Sequence, residues 1–182
     1  IIMPLSFIIE APIIMLLSAS TALSRDLPAY RLQHRFMMLA GALLTTLHVA
    51  VAFTPLFDHV TALLGTPVEI VESARIGLRI MTPWTFSIAY RRFQQGVLIR
   101  FGRSSLVGAG TIVRLGTVSG VVAAGFAWTD LPGIVVGCSG IATGVVAEAV
   151  FAGLCVRPVI RREIPAVAAD VPLGLGEFLR FY

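Results

Sequence analysis

The sequence predicts an all-α integral membrane protein of five transmembrane helices, with its N-terminus outside and its C-terminus cytoplasmic. Of the 182 residues, 57% are hydrophobic and only 13% charged, and the mean hydropathy is +0.89. A soluble domain carries about 25% charged residues. Some twenty apolar residues cross the hydrocarbon layer, and windows of about that length recur five times, at roughly 1–23, 36–57, 76–99, 106–128 and 132–156. The apolar runs are continuous and lack period-two alternation, which predicts helices rather than barrel strands.

The connections set the orientation. Arg25, Arg31 and Arg35 lie between the first two spans, Arg100 and Arg103 between the third and fourth, and Arg157, Arg161 and Arg162 after the fifth. The other two connections are poor in Arg: Asp58, His59, Glu69 and Glu72 outnumber Arg75 in one, and Asp130 is the charge in the other. Arg-rich connections are retained in the cytoplasm, and Arg100 and Arg103 are read as such anchors.

The first span holds Glu10 among apolar neighbours, flanked by Pro4 and Pro12. A carboxylate beside a broken helix can bind a proton or cation; the alternative is a carboxyl kept neutral by burial or capped by an arginine such as Arg79. The second span carries His48, whose ordinary reading is a hydrogen-bonded structural group. The third contains Pro83, a packed kink or a hinge, followed by Arg91, Arg92, Gln94 and Gln95. If this span ends at Ile99, those four groups need a water-filled cavity; if it ends at Tyr90, the arginines snorkel to the boundary. Gly116 with Gly120, Gly133 with Gly137 and Gly140 with Gly144 predict a close hairpin of the fourth and fifth spans around the 129–132 turn. Counting from the inner ends puts Arg114 and Glu148 at equal depth, about 12 Å from the boundary. Their ion pair is either a structural clasp or part of a coupling or substrate site.

Residues 1–162 are thus read as a partial transmembrane bundle, and 163–182 as a Pro-containing linker followed by the start of another bundle. Because Ile1 stands inside an apolar run, the chain is read as part of a longer protein. The basic residues are fourteen arginines in a few clusters, so nucleic acid is not an expected partner. Cys138 and Cys155 would lie about 25 Å apart along one helix and cannot bridge each other. No metal spacing, HExxH motif or nucleophile with its base appears, and His34, His48 and His59 are dispersed, so neither enzyme nor resident cofactor is expected.

Three stretches, MPLSFIIEAP, LRIMTPW followed by YRRFQQG, and LPGIVVGCSGIATGVVAE, resemble the multidrug/oligosaccharidyl-lipid/polysaccharide exporter superfamily, which includes the MATE transporters, and within it most closely the progressive ankylosis branch. The resemblance implies that the five spans match helices two to six of a six-helix bundle in the amino-terminal half. The first helix and a second six-helix bundle would belong to the same protein. It further implies alternating access, a sodium or proton gradient, and efflux of a small phosphate- or carboxylate-bearing solute across a plasma or bacterial inner membrane. Carried over by position, Glu10, Arg79, Arg91, Arg114 and Glu148 fall in the matching pieces; together with the residues' own chemistry, Arg91, Arg92, Gln94, Gln95 and Arg114 are the candidates for substrate binding, and Glu10, Arg79 and Glu148 for ion coupling or buried charge. The departure is the pairing of Arg91 with Arg92 together with Gln94 and Gln95. A flippase for a lipid-linked precursor and a non-transporting scaffold subunit are the competing expectations.

Overall fold

The computed structural model describes residues 2–166 and 173–182; Ile1 and the middle of the expected linker, 167–172, lie outside the described residues. The described chain is helical and contains no strand. The helices are α1 (Ile2–Glu10), α2 (Leu16–Leu23), α3 (Leu27–Phe53), α4 (Leu56–Leu63), α5 (Val68–Ile80), α6 (Thr82–Arg100), α7 (Ser104–Trp128), α8 (Gly133–Arg162) and α9 (Leu175–Phe181). Among the described residues, four stretches are long and apolar enough to cross a membrane: Ile2–Leu23, Leu27–Phe53, Ser104–Trp128 and Gly133–Arg162. The expected third span is divided between α5 and α6, and its Arg-bearing part is not among those four.

Local chemistry explains the boundaries. Pro12 has no N–H for the ladder, so the first helix passes through a 3₁₀ turn at Ala11–Ile13 before resuming as α2. The second helix starts at Leu27, nine residues earlier than the hydropathy window suggests. Asp26 caps it by accepting from the Ala29 N–H at 2.8 Å, and Pro28 occupies its first turn. A break at Met81 separates α5 from α6. Pro83 cannot donate to the Arg79 carbonyl, and the Thr82 hydroxyl does so instead at 2.7 Å. His48 of α3 completes the repair, with Nε2 at 3.0 Å from the Leu78 carbonyl and Nδ1 at 2.8 Å from the Thr85 hydroxyl. Since a carbonyl only accepts, Nε2 carries the proton and Nδ1 accepts from Thr85. His48→Phe is therefore expected to lower stability by about 1–3 kcal/mol, measured by thermal unfolding in detergent.

The close contacts also give the helix directions. Glu10, Ser20 and Ala22 on the first rod meet Trp84, Gly96 and Arg100 in turn on α6, and Gly77 and Tyr90 on α5 and α6 meet Cys138 and Gly153 on α8. These three rods are parallel. α3 runs against them, with the Tyr30 ring tilted against Phe93 at one end and the Ala52 carbonyl bonded to Arg79 at the other. α7 runs against α8, where Gly125 faces Val136 and Gly110 faces Glu148.

α6 is the centre of the bundle, with α2, α3 and α8 packed around it. Phe93, Val97 and Leu98 are fully enclosed. At the α2 crossing, a Cβ on Gly96 would lie 1.9 Å from Ser20 Oγ and 2.4 Å from the Leu17 carbonyl oxygen. Outward faces are apolar, as at Leu39, Leu43 and Ile112, a composition suited to lipid.

The α7–α8 hairpin forms, but through only part of the expected glycine set. Gly140 and Gly144 pack directly on Val122 and Val118, whereas a Cβ on Gly116, Gly120, Gly133 or Gly137 would meet nothing within 4 Å. A further close approach, outside the expected set, is at Gly125, where a Cβ would fall 2.5 Å from Val136. Spacing of four identifies a stripe, and the rotation of each helix decides whether that stripe faces the neighbour.

The end of the chain folds back on the first helices. Phe178 is fully buried and makes edge contacts with Phe36, which also meets Tyr182. The Tyr182 hydroxyl donates to the Pro12 carbonyl, and the Leu27 N–H donates to the Pro165 carbonyl at 2.9 Å.

Candidate buried charge centre

The helix with the strongest polar character holds the most enclosed position. α6 continues through Arg91, Arg92, Gln94 and Gln95 to Arg100, so it does not end at Tyr90, and Arg91, Gln94 and Gln95 are all buried. Trp84, Arg91 and Gln95 fall at i, i+7 and i+11, close to one face of the helix.

Glu148, in the middle of α8, is the hub and has no solvent exposure. Arg91 Nη1 donates to Glu148 Oε2 at 2.8 Å, and Gln95 Nε2 donates to Oε1 at 3.0 Å. Arg114 Nε lies 3.6 Å from Oε2. The antiparallel α7–α8 pair thus does bring Arg114 to Glu148, but the closer cation comes from α6. Gly110 of α7 lies against this arrangement, and a Cβ there would make an ordinary contact 3.5 Å from Glu148 Cγ. Two guanidinium groups share one carboxylate, leaving an excess positive charge that a simple clasp does not require.

Glu10, on the first rod, is almost fully buried. Its electrostatic neighbours are Trp84, Arg91 and Arg92. It does not meet Arg79, which instead donates from Nε to the Ala52 carbonyl at 3.1 Å and stacks over Phe53. Arg79 thus secures the end of α3 and stands apart from the centre. Arg92 makes no salt bridge among the described residues, and its charge is near Glu10 and Arg91. Gln94 is beside Tyr30 of α3.

Arg91 Nε and Arg92 Nε are enclosed without a hydrogen-bond partner among the described residues, while Glu10 faces Trp84 and Gln94 faces Tyr30 as polar side-chain pairs. Each unpaired buried polar atom costs about 1–3 kcal/mol, so two such donors on adjacent residues of one helix need a reason beyond packing. Trp84 was missed by the sequence reasoning; its position one and two turns before Ile88 and Arg91 was the available signal. Four surface grooves of about 230–340 Å³ are lined by other residues, and none of these four reaches Arg91, Arg92, Glu10 or Glu148. Glu148 has no solvent exposure, while Arg114 at the edge of the centre is one-third exposed.

Peripheral arginines hold helix ends. Arg100 Nη1 donates to the Thr21 and Ala22 carbonyls at 3.0 and 2.8 Å, capping α2, and Arg103 pairs with Glu163 at 2.8 Å. Arg75 pairs with Asp58 and lies 4.8 Å over the Phe57 ring.

Composition and the four apolar stretches define the class as a helical membrane protein, and the distinguishing feature is an arginine–carboxylate centre enclosed by its helices. Compared with protein-family models, curated proteins and solved structures, the chain matches none.

Proposed function

We propose that this chain is one lobe of a polytopic, MATE-like secondary transporter that moves a small phosphate- or carboxylate-bearing anion by alternating access. On this reading α5 and α6 together make a fifth crossing, Arg100 and Arg103 hold the cytoplasmic side, and the opposing lobe is supplied by a further part of the same protein. The observation that supports the proposal is the pair of unpartnered buried guanidinium N–H groups on Arg91 and Arg92 of the central helix, beside the Arg91–Glu148–Arg114 cluster. In membrane helices, ionisable groups facing a bundle interior mark solute paths or proton relays.

The chemistry favours an anion. Arg91, Arg92 and Arg114 outnumber Glu10 and Glu148, and a guanidinium offers a planar fork to phosphate or carboxylate oxygens. Glu148 takes one arm of the Arg91 fork, Nη1, and leaves Arg91 Nε without a partner. An entering anion replaces the carboxylate at Arg91 or joins it at Arg114, whose side chain is one-third exposed. Opening between the lobes would provide the aqueous route to the centre.

The test is uptake of labelled anions into vesicles carrying the complete protein. Arg91→Gln, Arg92→Gln and Arg114→Gln are each expected to reduce transport at least about tenfold, the loss of one charged hydrogen bond, with surface expression and melting temperature near wild type for Arg92→Gln. Unchanged transport in all three would sink the anion site and favour a scaffold whose charges fix helix register. Movement of a labelled lipid-linked pyrophosphate in place of the soluble anions would favour the flippase.

A further inference from the structure

Between α6 and α8, on the side away from α7, runs an open groove of about 330 Å³. Its walls include Phe86 and Tyr90 of α6 and Val146, Val150, Leu154 and Arg157 of α8. On α8, Val146, Val150, Gly153 and Arg157 follow one another at four- and three-residue steps and form one continuous face. Val150 and Leu154 are both more than half exposed. We propose that this groove is a binding site for an anionic phospholipid, with one acyl chain along the groove and the phosphate at Arg157.

Two physical features select that occupant. From Val146 to Arg157 the groove follows α8 for about 16 Å, close to half of the roughly 30 Å hydrocarbon layer and so within the reach of one acyl chain. The ends also differ chemically: the Val146 end is apolar, whereas the other carries a single cation.

Arg157 is exposed and has no ion pair among the described residues. One turn before it, Gly153 lets the Tyr90 ring lie against α8, since a Cβ there would fall 2.7 Å from the Tyr90 hydroxyl oxygen. A phosphate at this end meets a guanidinium that can donate two charge-assisted hydrogen bonds, with a phenol hydroxyl one turn away. A zwitterionic headgroup offers the same phosphate but places its own cation near Arg157, and so binds less well. Because no residue of the Arg91–Glu148 centre lines the groove, this site is independent of the transport reading.

Native mass spectrometry of the detergent-purified full chain, titrated with phosphatidylglycerol and with phosphatidylcholine of identical acyl chains, tests the proposal. Wild type is expected to retain one phosphatidylglycerol with about a tenfold preference over phosphatidylcholine. Arg157→Gln is expected to abolish the preference while leaving phosphatidylcholine binding unchanged, and Arg157→Lys to keep most of it. Val150→Trp, or Leu154→Phe should that variant fail to fold, fills the groove and is expected to weaken both lipids. Arg161→Gln, a turn beyond the groove, serves as the charge control. Equal retention of the two lipids by wild type, equal effects of Arg157→Gln and Arg161→Gln, or undiminished binding in a folded groove-filling variant would each overturn the proposal. So would a wild-type protein that dimerises without holding lipid.

Discussion

Glu148→Ala is expected to be the most damaging single substitution in the chain, costing about 3–5 kcal/mol of stability. Its carboxylate has no solvent exposure and receives Arg91, Gln95 and Arg114, so truncation strands two guanidinium groups and one amide. The loss exceeds the worth of any one contact, because the groups left behind must remain desolvated or draw water between α6, α7 and α8. Thermal unfolding in detergent, followed by helical circular dichroism, measures it. A variant with Arg91→Met, Arg114→Met and Glu148→Leu together removes the charges on both sides and is expected to recover much of that loss. If the triple variant is less stable than Glu148→Ala by the sum of its parts, the three residues do not act as one unit.

The second large effect concerns shape. Gly96→Val is expected to destabilise the protein by at least about 1–3 kcal/mol, the usual penalty for forcing extra carbon into a packed interface. Even the first carbon of the new side chain would overlap Ser20 Oγ and crowd the Leu17 carbonyl and the Thr21 nitrogen. Ser20 can rotate away, but the α2 backbone cannot. The two helices must then separate, breaking the Thr21 hydroxyl contact with the Gly96 carbonyl and the Arg100 cap on α2. Gly116→Val supplies the contrast: nothing lies within 4 Å of its Cβ position, so little change in melting temperature is expected. Equal losses at the two positions would show that backbone propensity, rather than the α2–α6 crossing, sets the cost.

Hydropathy made the helical class legible and located most of the rods, because lipid imposes length and apolarity on each stretch separately. It could not locate the break at Met81, which depends on Pro83 and on the bonds from Thr82 and His48 that repair it. The early start of α3 was legible in principle from Asp26 and Pro28, but Arg31 and Arg35 depress the hydropathy window there. Depth counting was enough to place Arg114 level with Glu148. Recognising Arg91 as the nearer partner required knowing that α6 lies parallel to α8, a tertiary fact with no local signature. The same limit applies to Glu10 and Arg79. Their depths permitted a pair, yet Arg79 turns to the end of α3 and Glu10 faces α6. Gln94 and Gln95 were visible as polar intrusions, while the role of Trp84 emerged only with the fold.

The separation of Arg91 from its carboxylate partner also bears on how the protein is made. The two residues are 57 apart in sequence, so at about 5–20 residues per second the ribosome needs some 3–11 s after Arg91 to reach Glu148. During that interval α6 must be accommodated beside the earlier helices with its principal counter-charge not yet synthesised. α1 through α3 can already offer Glu10, the Gly96 crossing and the Arg100 cap, which hold the helix provisionally. Biogenesis therefore has a vulnerable window between the third and fifth rods, closed when α8 arrives and neutralises the charge.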